Sequence, residues 1–250
     1  MPLGKSPCRN GIGFHPSSQG FCGIRPLGSF RNTGNLAKWH TVGTTNMLKL
    51  KKPLTLVLAS ASPRRQALLC QLGLTPVVQP VDADESSIQG KTPEEVAKKI
   101  AQHKFAAAKE YHDLTKTVLV TADTIVSLDN RVFGKPATPE QAIQMLKTLS
   151  GRRHQVITAV SVGYRQSCLT LAESTLVEFS PLTDEVIREY VKSGEPLDKA
   201  GAYGIQGAAA CFVRRLEGCY FNVMGLPLNL LTRMLQSMDV LAIPLTNEPM

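Results

Sequence analysis

The run Leu56-Val57-Leu58-Ala59-Ser60-Ala61-Ser62-Pro63-Arg64-Arg65 constrains this chain more than any other. Three apolar residues suit an interior strand, four small residues let the backbone turn closely, Ser62 is a good N-cap, and Pro63 fits the first helical position. The run reads as strand, tight turn and helix start, with the helix ending at Gly73. Arg64 and Arg65 then set two cations against the positive end of the helix macrodipole, where acidic residues are normally favoured. Something anionic should offset them. Free backbone N–H groups, the Ser60 hydroxyl and two guanidiniums make a cradle suited to phosphate oxygens. A solvated arginine pair on an ordinary first turn is the plain alternative.

The rest of the chain alternates elements. A short strand is expected over 76–81, followed by the acidic turn Asp82-Ala83-Asp84-Glu85. Helices are expected from Thr92 with Pro93 at the first position, and over 139–149, closed by Gly151. Residues 117–128 form the most apolar run and read as a central strand interrupted by Asp123. Asp129-Asn130 reads as a turn, and Gly134-Lys135-Pro136 as a loop. Two long neighbouring strands are expected over 154–164 and 168–179, then a helix capped by Thr183, a Gly-rich segment over 198–207, a strand over 211–216 and a last helix from about Leu226. This order predicts a mixed α/β (α+β) protein, a mixed sheet flanked by helices, with two lobes.

The net charge of +8 suggests a nucleic-acid binder until it is located. Residues 1–52 hold eight Lys or Arg and no Asp or Glu, which leaves 20 basic and 20 acidic residues in 53–250. The excess belongs to the arm, so a general nucleic-acid surface on the body is not expected. The arm is rich in Gly, Ser, Asn and Pro without sustained periodicity, and is read as a disordered or weakly ordered extension; its acid-free, basic composition also resembles an organellar transit segment, though no amphipathic helix accompanies it. No apolar run reaches the length of about 18–20 residues that a membrane span needs. Six cysteines show no C-x-x-C spacing, so zinc and a disulfide framework are not expected, and Cys70 and Cys211 are read as buried reduced thiols. A reducing compartment follows: the cytoplasm, or a mitochondrion or other organelle if the arm is a transit segment.

Asp123 is the most informative single residue after the arginine pair. A carboxylate within an apolar strand must face solvent or find a cation, because an isolated buried charge is prohibitively costly. Glu85 lies in an acidic turn of the usual solvated kind. Two carboxylates from separate elements are nevertheless what a Mg²⁺ site takes, the substrate phosphate and water completing the shell. Lys104 could project from the side of its helix, and Pro136 restricts Lys135 to an extended backbone.

Ser60-Ala61-Ser62-Pro63-Arg64-Arg65, Ala122-Asp123-Thr124, Gly134-Lys135-Pro136, Leu149-Ser150-Gly151 with His154, Gly194-Glu195-Pro196, the segment 198–207 and Gly225-Leu226-Pro227-Leu228 together resemble, in order and spacing, the Maf family of nucleoside triphosphate pyrophosphatases. The resemblance covers about residues 54–240 and is closest to the branch acting on dTTP and UTP, chiefly through Asp198-Lys199-Ala200-Gly201-Ala202-Tyr203-Gly204-Ile205-Gln206-Gly207. It implies a mixed sheet in two lobes with a cleft between them, a divalent metal (Mg²⁺ or Mn²⁺) and frequent homodimers. It also implies that Asp123 is the base and that Arg64, Thr124 and Gln206 tune base selection. On this reading Glu85 and Asp123 hold the metal, while Arg64, Arg65, Lys104 and Lys135 meet the triphosphate with Ser60 donating a hydrogen bond. The turn Asp82-Ala83-Asp84-Glu85 is similar instead to the branch acting on 7-methyl-GTP. A non-catalytic nucleotide-responsive regulator of cell division is the rival from another class.

Overall fold

The computed structural model describes residues 47–85 and 87–243. The expectations for residues 1–46, including the transit segment, lie outside the described residues. Packing begins earlier than Pro53: Leu48 is 2% exposed, Leu50 bridges to Leu241, and the Lys51 N–H donates to the Val240 carbonyl at 2.9 Å.

Among the described residues, seven strands form one mixed sheet. They are β1 (Thr55–Leu58), β2 (Val77–Val78), β3 (Thr117–Leu128), β4 (Arg131–Phe133), β5 (Arg153–Tyr164), β6 (Ser167–Phe179) and β7 (Val213–Glu217). The order is β2-β1-β3-β5-β6-β7, with β4 paired to β3 off this path. β2, β1 and β3 run parallel, whereas the β3-β5-β6-β7 pairs and β3-β4 are antiparallel. Six α-helices among the described residues accompany them: α1 (Pro63–Gln71), α2 (Pro93–Lys109), α3 (Pro139–Leu149), α4 (Asp184–Lys192), α5 (Tyr220–Met224) and α6 (Leu228–Ser237). The caps follow the sequence closely. Ser62, Thr92, Thr138 and Thr183 each accept a backbone N–H from the third residue on, and the first three are each followed by proline.

β3 has an edge that explains the site. Its far side pairs with β5 almost throughout, but its near side pairs with β1 only over Thr117–Val120 and with β4 only over Val126–Leu128. Among the described residues no strand lies beside the stretch 121–125 on that edge, so the sheet opens a crevice beyond the carboxyl end of β1, as ligand sites of α/β sheets commonly do. Two large cores meet near this gap. One gathers Leu58, Leu68, Val120, Ala122 and Leu231, and the other gathers Val126, Leu146, Val156, Ile187 and Phe212. Both hang on the same continuous sheet.

Several elements differ from expectation. β4 has no counterpart among the expected elements, because three residues are too few for a period-2 signal; Asp129 and Asn130, both at positive φ (52° and 62°), form the expected turn and close a two-residue hairpin into it. The segment 195–212 carries short 3-10 turns over Glu195–Asp198, Ala200–Ala202 and Ala208–Phe212, so the strand starts at Val213 rather than Cys211. Gly201 within it has φ 68°, and a Cβ there would lie 2.7 Å from Val126 Cγ2, so only glycine lets this segment lie against β3. α5 was missed because a five-residue helix carries little periodicity. Cys70 and Cys211 are exposed rather than buried: Leu68 and Leu69 take the inward side of α1, and Ala209 and Phe212 the inward side of the last 3-10 turn.

His154, at the start of β5, is 1% exposed; its Nε2 lies 2.8 Å from the Tyr203 hydroxyl and its ring packs edge-on against Phe179. Burial lowers its pKa from the usual 6.5 to about 4. The ring is therefore neutral in the folded protein down to about pH 4, while the unfolded chain takes up a proton below about pH 6.5. Unfolding thus binds a proton in that window, and stability that is complete above pH 6.5 falls as the pH drops toward 4, by about 3 kcal/mol from this group. Urea unfolding at pH 7, 5.5 and 4.5 should show a shallower loss in His154→Gln than in the native chain; equal slopes would remove His154 as the source.

Candidate active site

A cavity of about 890 Å³ lies at the gap in β3 and is lined by Ser60, Arg64, Arg65, Glu85, Lys104, Asp123, Thr124, Lys135 and Gln206 together. Every site residue expected from the sequence is therefore in one place, and the volume is within the usual range for small-ligand sites.

Period 2 along β3 assigns the residues to two faces. Thr121, Asp123 and Ile125 face α2. The Thr121 hydroxyl donates to the Ala101 carbonyl at 2.8 Å, Ile125 packs with Ala97 and Ala101, and Asp123 meets Lys104. Val120, Ala122 and Thr124 face the other way, toward α1. Asp123 and Thr124 thus point to opposite sides of the sheet, and both border the cavity because no strand covers their edge.

Asp123 is 9% exposed. Its Oδ1 accepts from Lys104 Nζ at 2.6 Å, and the same ammonium lies 2.8 Å from Glu85 Oε1. Burial pushes the Asp123 carboxyl up, while Lys104 and Arg65 pull it back and the Glu85 charge adds to the rise. The solvated-face alternative for Asp123 is gone: it is buried and paired, with a pKa raised toward the range where a carboxylate accepts protons well.

The two arginines part company. Arg64 is half-exposed at the cavity wall, 3.8 Å from Asp198 Oδ2. Arg65 turns inward: its Nε donates to the Gly225 carbonyl at 2.8 Å, its NH1 to Ser60 Oγ at 3.0 Å and to the Ala122 carbonyl at 2.8 Å, and its NH2 to Thr124 Oγ1 at 3.0 Å. Four of its five N–H groups are thereby used within the protein, so Arg65 braces the site frame where the sequence led us to expect a phosphate ligand. Ser60 Oγ accepts from Arg65 and from the Ser62 N–H, which leaves its hydrogen for donation.

Thr124 is committed in the same way. Its hydroxyl accepts from Arg65 and pairs at 2.9 Å with Thr158, whose own hydroxyl donates to the Asn222 carbonyl. Asn222, fully buried, accepts from the Thr158 N–H and donates to the Val156 carbonyl and Thr175 Oγ1. This network ties β3, β5 and β6 to α5. Thr124 consequently offers a substrate its methyl rather than a free hydroxyl.

Among the described residues no group of three or more His, Cys, Asp or Glu could hold a metal ion. Glu85 and Asp123 are converged on one cation, which fits an ion that takes one or two protein carboxylates and draws its other oxygens from phosphate and water.

Residues 55–238 match the family model described as Maf-like protein. A dTTP/UTP pyrophosphatase of Symbiobacterium thermophilum is 45% identical over 180 residues, covering 72% of this chain and 92% of its own. Those of Pelotomaculum thermopropionicum and Clostridium beijerinckii are 46% and 45% identical, covering 72% and 73% of this chain and 95% and 98% of theirs. The chain belongs to the Maf family. The solved structure of the Staphylococcus aureus Ham1 protein overlaps 50% of this chain and 71% of its own at a TM-score of 0.36 and 19% identity. That likeness is too slight to bear on the fold.

The Maf-family site contains residues that single-residue reading passed over. Lys199 also lines the cavity, with its Nζ 2.6 Å from both the Glu195 carbonyl and Asp198 Oδ1. Glu195 accepts from the Tyr190 hydroxyl and the Ala208 N–H, fastening both ends of the Gly-rich segment that presents Gln206. The signal was their place in the Gly194-Glu195-Pro196 and Asp198-Lys199 motifs. Gln206 itself is exposed at the cavity wall, and Lys135 forms no ion pair among the described residues.

Proposed function

We propose that this protein hydrolyses dTTP and UTP to the nucleoside monophosphate and pyrophosphate, with a role in clearing the nucleotide pool. The observation that carries the reading is Asp123, buried, paired to Lys104 and facing a cavity whose walls bear Arg64, Lys135 and Lys199. The names of the relatives at about 45% identity supply the substrate class.

Asp123 would orient a water and accept its proton as the oxygen attacks the α-phosphorus; the α–β anhydride bond breaks and pyrophosphate leaves with its electron pair. Arg64, Lys104, Lys135 and Lys199 would neutralise the triphosphate and the departing pyrophosphate, with Ser60 donating to a phosphate oxygen. Glu85 and Asp123 would hold Mg²⁺ or Mn²⁺, which when bound supplies charge neutralisation and Lewis-acid polarisation of the phosphate. Gln206 carries both a donor and an acceptor, which can match the N3–H and a carbonyl of a uracil or thymine edge.

A panel of nucleoside triphosphates with Mg²⁺ or Mn²⁺, with pyrophosphate and orthophosphate measured separately, tests this reading. UTP and dTTP should give pyrophosphate with higher kcat/KM than purine triphosphates, and EDTA should stop the reaction. Gln206→Ala should lower the preference for UTP by about tenfold with little loss of stability, since a site built to hydrogen-bond its ligand discriminates through groups left unpaired. Orthophosphate as the only phosphate product would sink the reading. A preference for 7-methyl-GTP would move the protein to the other branch, whose acidic turn is similar to 82–85 here, where Asp82, Ala83 and Glu85 border the cavity.

A further inference from the structure

Lys104 holds both carboxylates assigned to the divalent ion. Its Nζ is 2.6 Å from Asp123 Oδ1 and 2.8 Å from Glu85 Oε1, and its side chain is only 17% exposed. An ammonium on Asp123 Oδ1 and Glu85 Oε1 competes with a dication for these oxygens, because the two cations repel at close range in a partly buried place. The two carboxylates in turn cannot stay close together unpaired without a like-charge penalty. One cation must be present, and in the free protein it is the lysine.

We propose that Lys104 is a resident counter-ion of the metal site: it fills the place of the divalent ion in the nucleotide-free protein and passes to a substrate phosphate when ion and nucleotide enter together. The inference rests on the metal-dependent reading above. It couples metal binding to nucleotide, since the ion alone must displace the ammonium from Asp123 and Glu85, whereas a nucleotide brings phosphates that receive it.

The parts needed for the exchange are present. A lysine is a point charge on a flexible stem, able to swing between acceptors without a backbone shift. The helix that carries it is fixed: Phe105, the next residue, packs where a Cβ on Gly163 would collide with its ring, and Ala101 accepts the Thr121 hydroxyl. The loop carrying Glu85 is fastened to the same helix, with Lys99 Nζ donating to the Gln89 carbonyl at 2.9 Å and the Lys91 N–H to Glu95 Oε2 at 2.8 Å. The side chain is therefore the part that can move, and Arg64 and Lys135 mark the wall where the phosphates that would receive it lie.

The test measures Mn²⁺ alone, without nucleotide, as free ion by electron paramagnetic resonance. The native protein should bind weakly. Lys104→Met should bind about tenfold or more tightly, because the carboxylates lose their partner and regain one in the ion. Lys104→Gln provides a second neutral variant should the first fail to fold, and Lys104→Arg, which keeps a cation, should bind as weakly as the native chain. Adding Glu85→Gln to Lys104→Met should abolish the gain. Tight binding by the native protein, no gain in folded Met and Gln variants, or a gain that survives Glu85→Gln would each overturn the exchange. Pyrophosphate release from UTP by the native protein is measured alongside. If it is intact while the Mn²⁺ series fails, only the exchange falls; if it is absent, the underlying reading falls and the inference with it.

Discussion

Asp123→Asn should leave the fold in place and lower kcat for UTP by about 10²- to 10⁴-fold, the usual cost of losing a general base. The substitution keeps the shape of a buried side chain in a central strand, and an amide oxygen can still accept from Lys104. What it removes is the charge and the ability to take a proton. The β3 register with β5, Asp123 opposite Ala159, depends on the backbone and should survive. Steady-state rates with saturating Mg²⁺, beside circular dichroism and thermal melting, decide the matter; a folded Asn variant with near-native kcat would end the assignment of Asp123 as base.

Arg65→Met should destabilise the protein by about 3 kcal/mol, whereas Arg64→Ala should change stability by less than about 0.5 kcal/mol and act on substrate instead. The contrast follows from where two neighbouring guanidiniums point. Arg64 has, among the described residues, a single ion-pair partner at 3.8 Å, and its side chain is half-exposed. Arg65 makes four hydrogen bonds that join α1 to β3 and to the carbonyl of Gly225, and burial, offset in part by Asp123, draws its pKa down without depriving it of charge. Its loss would leave the Ala122 and Gly225 carbonyls without a donor. For a domain of this size the melting temperature should fall by about 6–12 °C. A melting temperature within about 2 °C of native would show that the brace is dispensable. Arg64→Ala, by the same measurements, should raise KM for UTP with the melting point unchanged.

Much of this protein is determined by its sequence alone. Strand, turn and helix over 56–71 follow from an apolar triplet, four small residues and a Ser-Pro start, because caps and φ restriction act within a few residues of themselves. The same local chemistry starts α2, α3 and α4 at their threonines. Asp123 stands out because a carboxylate in so apolar a run demands a partner wherever the run ends up.

What the sequence does not carry is direction across space. That Arg65 turns inward and Arg64 outward depends on Gly225 and Thr124, which are 160 and 59 residues away from Arg65 in the chain. The unpaired stretch 121–125 of β3 exists because β1 ends below it and the three-residue β4 starts above it, a matter of strand register that no local pattern encodes. The outward cysteines were misread for a related reason: one apolar residue on a short helix marks a buried side only after the neighbouring elements have chosen which side to cover. The pairing of Glu85 and Asp123 through Lys104 likewise joins a loop, a strand and a helix that meet only after the sheet has formed, because the stability of a buried charge depends on its neighbours in space and not on those in sequence.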